Sequence, residues 1–325
     1  MNLQEAITSS PALFPLNLDS TGTLVQLMHL SESEYAAASF LDNRLLQPNT
    51  RHATISWVDL RNASEELEAS CNFIFHISHA GSTLISRLLG SHPSCFAIRE
   101  PAILRLLGKG QYTDRMMPFL RLWSRTFRSD QRTLIKATSF VSEIASELLQ
   151  AIPGSRAILM FVTPSTFLPG LLDGAMSDID AEACHRLHRI QKKGFLLGLN
   201  VTDLSPGENV AMSWLSEMIS LAEVAACFPN RILWLDFDRF LEQSETHLNR
   251  CFGHLGLRAD SAAILSGSIM HRYAKKPEIK YDSSFRAGLL AQSAKKFSDE
   301  VARGLDWLHK SEPAAVRNQF KIDLS

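Results

Sequence analysis

What this chain has little of narrows its function before any motif is read. Its 33 lysines and arginines are balanced by 34 acidic residues, so no global attraction to nucleic acid is encoded and any anion site must be local. The five cysteines, Cys71, Cys95, Cys184, Cys227 and Cys251, are odd in number and lack CxxC spacing. That argues against a disulfide framework and for a reducing compartment. No apolar run reaches the roughly 18 residues of a membrane span, and the first twenty residues have neither a basic n-region nor an apolar core of signal length. The expectation is a soluble, cytoplasmic chain with no membrane partner. Internal repeats and low-complexity tracts are missing as well. What remains, 45% hydrophobic and 21% charged over 325 residues, is an ordinary globular composition with material for a large core.

Against that background one stretch organises the rest, Phe73 to Leu89, FIFHISHAGSTLISRLL. The apolar run Phe73 to Ile77 has the length and character of a buried strand, and Leu84, Ile85, Leu88 and Leu89 recur at helical spacing beyond it. Between them lie Ser78, His79, Ala80, Gly81, Ser82 and Thr83. A helix start has orphan amides and the positive end of the dipole, and a tight loop of small residues lets an anion reach both. Ser82 and Thr83 add donors, and His79 adds charge when protonated. The plain alternative is a strand-to-helix turn in which Ser82 does no more than cap its helix.

Comparison with the Walker A pattern, GxxxxGK[ST], is informative because it fails. His76 stands at the first glycine and Ser82 at the lysine. ATP chemistry needs that lysine on the terminal phosphates and the next hydroxyl on magnesium. What is left suits a phosphate-like anion held without a metal, which points to sulfuryl rather than phosphoryl transfer.

Further strand-like segments, CFAIREP, TLIKATSF, RAILMFVTP and ILWLDF, alternate with helical patterns. Such alternation predicts an α/β fold, a three-layer P-loop NTPase-like parallel sheet of about five strands flanked by helices. This domain is expected over residues 66–325, with residues 1–65 as a small helical cover. In that cover Ser31 and Glu34 form a capping-box pattern and HATISWVDL is a possible peripheral strand. The basic run His185 to Lys193 reads either as a solvated helix face or as a lid over an anionic ligand. An amphipathic helix is expected around Trp214 to Ala225, a helix capped by Ser244 after ILWLDF, and a long one from Ala287 to Leu308.

Ligands collect at the carboxyl ends of parallel strands. Glu100, after the second strand, is the candidate general base, or else pairs with Arg99 or caps a helix beside Pro101. Lys136, after the third, is placed to neutralise a leaving phosphate, and Thr163 to Thr166 and Asp236 to Asp238 end the fourth and fifth.

HAGST, together with RILWLDFDRFLEQSETHLNRCFGHLGL (231–257), resembles the sulfotransferase family, with His79 at the loop's basic position. The resemblance implies a 3′-phosphoadenosine-5′-phosphosulfate (PAPS) donor, adenosine 3′,5′-bisphosphate (PAP) as product, a small hydroxyl- or amine-bearing acceptor and no metal. It implies cofactor contacts at His79, Ala80, Gly81, Ser82, Thr83 and Thr163, and Glu100, Lys136 and His79 as catalytic groups. Three departures stand out. Thr138 occupies the position of the histidine base of many cytosolic members. Val162 and Gly170 stand where an arginine and a serine hold the 3′-phosphate. The late Arg-Lys-Gly loop is missing, with Lys275 and Lys276 as possible substitutes. Two other readings stay open, a P-loop phosphotransferase with Asp236 ending a Walker B-like strand, and a noncatalytic nucleotide binder. The sequence carries no signal for oligomeric state.

Overall fold

The computed structural model describes residues 3–46, 51–174, 179–180, 183–184, 186–187, 191, 201–270, 272–273, 276–280 and 283–311, with backbone alone for 272–273, 276–280 and 283. In the N-terminal region, LFPLNL and LVQLMH lie on either side of a DSTGT turn and pair as antiparallel strands β1 (Leu13–Leu18) and β2 (Leu24–His29). β3 (His52–Ser56) pairs with β2 and completes a three-stranded sheet. The expected helical cover is therefore corrected to a small antiparallel sheet with short helices. Pro15 sits at an irregularity of the β1–β2 register, where its missing N–H is tolerated. The Ser31–Glu34 capping box is present and starts the helix Glu32–Ala37.

All five strands expected of the main domain form, as β4 (Cys71–His76), β5 (Cys95–Arg99), β6 (Arg132–Lys136), β7 (Ala157–Phe161) and β8 (Ile232–Asp236). They pair parallel in the order β5-β6-β4-β7-β8. β4 is buried at every residue, as a strand covered on both faces must be. The chain leaves β4 toward β5 and β6, then crosses back to β7 and β8. The carboxyl end of β4 is thus the topological switch point, where an open parallel sheet leaves a crevice for a ligand.

Helices flank the sheet. Ser82–Gly90 follows β4 directly and packs on β5 and β6. The 22-residue helix Pro206–Cys227 is buried along most of its length rather than amphipathic, with Trp214 Nε1 donating to Val162 O at 2.9 Å. Among the described residues it alone is long and apolar enough to cross a membrane, and here it fills the core. Two helical expectations need correction. Ser244 is the first residue of its helix, behind Gln243, and donates to Phe240 O instead of capping. The long C-terminal helix is two, Ser283–Lys296 and Ser298–Ser311.

A buried arginine of β5 helps tie the N-terminal region to the sheet. Arg99 donates from Nη1 to the carbonyls of Tyr35, Ala36 and Ala38 and from Nε to Ser86 Oγ. This delivers Phe40, Asp42 and Arg44 to the carboxyl edge of the sheet.

Candidate functional site

The loop after β4 turns through left-handed backbone. His79 has φ 60° and Gly81 φ 65°, two left-handed residues on either side of Ala80. A residue with a Cβ holds this conformation at a cost of roughly 1–3 kcal/mol, and such residues gather at functional sites. Alternation of this kind curves successive amides into an anion-binding concavity. The amides of Ala80, Gly81, Ser82 and Thr83 meet no acceptor among the described residues. Gly81, not Ser82, is the N-cap, and it supplies no side-chain bond. The helix therefore starts without the hydroxyl cap that the plain turn would require.

Gly81 has a second constraint. A Cβ there would overlap the ring of Phe237, which is itself buried. Phe237 follows β8, and the Arg286 guanidinium lies 5.1 Å from its ring centre while pairing with Asp238 at 3.0 Å. Asp236, the candidate Walker B acid, accepts from the amides of Asp238 and Arg239 and serves as a helix N-cap.

Beside the loop the ends of β5 and β6 join it. His76 lies with Nδ1 2.8 Å from Ile77 O and Nε2 2.8 Å from Ala137 O, and Ser78 Oγ is 3.0 Å from Ser139 Oγ. Burial, then the charge of Lys136, holds His76 down at about 4. Glu100 and Lys136 form a buried ion pair. Glu100 also accepts from Arg105 and from Thr138 Oγ1, each at 3.3 Å, and Arg105 reaches on to Asp42 at 2.9 Å and to Thr138 from Nε at 3.1 Å. Burial raises the Glu100 pKa, but Lys136, His76 and Arg105 outweigh it, so the carboxyl sits below its usual range. Burial likewise pulls Lys136 below its usual value, with Glu100 opposing. Glu100 is left-handed, with φ 50°. It neither pairs with Arg99 nor caps a helix.

A second buried pair lies under the loop. Arg186, from the basic run, is 1% exposed, with Nε 2.8 Å from Glu217 Oε1, and Glu217 is 0% exposed in the core helix. Arg186 Nη2 reaches Ser139 Oγ at 2.9 Å and Ser78 Oγ at 3.4 Å, and Ser142 donates to Glu217. So at least one residue of the basic run is neither solvated nor a lid but part of the loop's foundation.

Thr163 ends β7 and is the N-cap of the helix Pro164–Leu172, its Oγ1 2.9 Å from Ser165 Oγ. Val162 is buried and Gly170 is helical. Lys275 lies outside the described residues, as do most of His185 to Lys193, and Lys276 is described only as backbone of a short strand. The strands thus bring His79 to Thr83, Glu100, Lys136 and Thr163 to one edge. Sequence reasoning missed Asp42, Arg105, Glu217 and Phe237. Glu217 left a trace, as an acid inside the apolar run MSWLSEMISLA.

No protein-family model matches the chain. No curated protein matches it either. Among solved structures, the sulfotransferase domain from the curacin biosynthetic pathway is similar at 13% identity and TM-score 0.41, over 75% of this chain and 99% of its own. A sulfotransferase from Alicyclobacillus acidocaldarius is similar at 12% identity and TM-score 0.38, over 77% and 100%. One from Mycobacterium avium is similar at 10% identity and TM-score 0.43, over 73% and 79%. These are likenesses of outline, and the chemistry rests on this chain's own residues.

Proposed function

We propose that the protein is a sulfuryl transferase, taking the group from PAPS to a hydroxyl or amine of a small acceptor. One observation carries this reading: a left-handed loop at the switch point presents four amides that meet no acceptor among the described residues, with no lysine where a phosphotransferase needs one. Ala80, Gly81, Ser82 and Thr83 would hold the 5′-phosphosulfate oxygens, with His79 and Thr163 at the rim. Phosphosulfate chemistry supplies a good leaving group, so positioning and charge stabilisation remain for the protein.

Lys136 and Glu100 divide the rest. In the ligand-free pair each neutralises the other. Lys136 is the cation for charge developing on the bridging oxygen, and as it turns to that charge it releases a carboxylate oxygen of Glu100 to take the acceptor's proton. The phosphotransferase reading is disfavoured because Asp236 is committed to capping. Contacts to a 3′-phosphate are the weakest part of the fit, since Val162 and Gly170 bring no charge.

Thermal unfolding with and without nucleotide tests the proposal. PAP at a hundred times its Kd should stabilise the chain by about 2.7 kcal/mol without metal. Stabilisation by ATP with magnesium alone would replace this reading with phosphoryl transfer. Equal stabilisation by PAP and adenosine 5′-phosphate would remove 3′-phosphate selectivity, and no response to any nucleotide would overturn the proposal.

A further inference from the structure

The opposite edge of the sheet holds a cavity unrelated to the loop. It has a volume of about 330 Å³ and lies at the amino ends of the strands, walled by Asn72, Arg132, Leu134, Arg156, Leu255 and Leu257, with Asp130 also at its margin. This is the lower end of the size range of small-molecule pockets. Helix carboxyl ends converge here, and the first explanation for an arginine in such a place is that it satisfies their carbonyls.

Other arginines of this chain show what that role looks like. Arg231 bonds Ser155 O and Oγ, Leu149 O and Ile152 O. Arg125 likewise bonds four carbonyls, those of Ile7, Ser10, Leu13 and Leu122. Arg132 and Arg156 differ. Among the described residues each makes a single side-chain bond, from Arg132 Nη2 to Gly154 O at 3.0 Å and from Arg156 Nη1 to His254 O at 2.5 Å. Arg132 Nε is buried without an acceptor. Among the described residues neither guanidinium is paired with a carboxylate, and Asp130 pairs with Arg128 at 3.5 Å. Asn72 Oδ1 accepts from the Arg156 amide, which leaves its NH₂ as the free end. The unused groups on this wall are donors, and they carry two positive charges.

We infer that this cavity is a second ligand site, for a small phosphate monoester whose oxyanion lies between Arg132 and Arg156 and whose apolar part rests on Leu134, Leu255 and Leu257. Two guanidiniums suit the multiple oxygens of such a group, and the leucines suit a substituent rather than a bare ion.

The test is an NMR titration of the full chain with phenyl phosphate. The amides of Gly154 and Gly256 report the cavity, and those of Ala80 and Gly81 report the loop separately. Dose-dependent shifts at Gly154 and Gly256 are expected. Arg132→Gln or Arg156→Gln should weaken them at least about tenfold, and the double variant should abolish them. Phenol should leave both signals in place, and inorganic phosphate should bind more weakly than the ester. Absence of shifts at Gly154 and Gly256, an equal response to phenol, or undiminished affinity in the double variant would overturn the inference, whatever the loop amides do.

Discussion

The loop after β4 and the cluster joining the ends of β5 and β6 share one edge of one sheet and handle charge in opposite ways. The loop is built from backbone. It turns on two left-handed residues, His79 and Gly81, and its amides meet no acceptor among the described residues. The cluster is built from side chains and is closed on itself: Lys136 on Glu100, Glu100 on Arg105 and Thr138, Arg105 on Asp42. Open amides at the partly exposed Gly81 and Thr83 cost little while water reaches them, so a backbone site can stand without a ligand. Buried side-chain charges must be paired at all times. A ligand at the loop would therefore replace water, whereas one at the cluster would have to displace a partner.

Four experiments press on that contrast. The largest effect should come from Arg186→Gln, which takes the buried guanidinium away from Glu217 beneath the loop and should cost about 3–5 kcal/mol in denaturant unfolding. Adding Glu217→Gln should recover part of it. A double variant no more stable than the single would mean that packing, not charge, is what the pair supplies.

Gly81→Val strikes the backbone side. It meets the Phe237 ring and forces a β-branched residue into a left-handed position, so a loss of about 2–4 kcal/mol is expected together with loss of PAP binding. Unchanged binding in a folded Gly81→Val protein would remove the anion from this loop.

The third concerns pH. Because the Glu100 pKa is depressed on folding, its stabilisation is complete above the ordinary carboxylate value of about 4.3 and is lost as pH falls through the lower folded value. Glu100→Gln should thus be destabilising at neutral pH, with the gap to wild type closing in acid. A gap that stays constant from pH 7 to 3 would show that the ion pair contributes nothing.

The smallest effect separates strain from chemistry. His79→Gly relieves a left-handed residue but gains unfolded-state entropy, so stability should rise by less than about 1 kcal/mol. PAP affinity should nevertheless fall several-fold as the imidazole is lost. A rise in both would make His79 a strained bystander.

Much of the core fold was legible in the sequence. Five apolar segments alternating with helical ones became the five parallel strands, because a fully buried strand needs a continuous apolar run and a short turn on each side. Of the N-terminal sheet only β3 was legible, as the peripheral strand in HATISWVDL, while two prolines and a polar turn hid the β1–β2 hairpin. The candidate loop was visible as five small residues and a histidine between strand and helix. Its partners were not: Asp42 and Arg105 lie 63 positions apart, and Arg186 and Ser78 lie 108 apart.

Local spacing by itself therefore determined that strand would turn to helix at HAGST, and that a lysine-free cradle would form there. Tertiary structure alone decided that Glu100 rests on Lys136, that Phe237 covers Gly81 and that Arg186 lies buried under the loop. The physical reason is range. A turn is fixed by the conformational preferences of neighbouring residues, whereas a buried charge finds its partner only when the whole sheet has brought distant strand ends together.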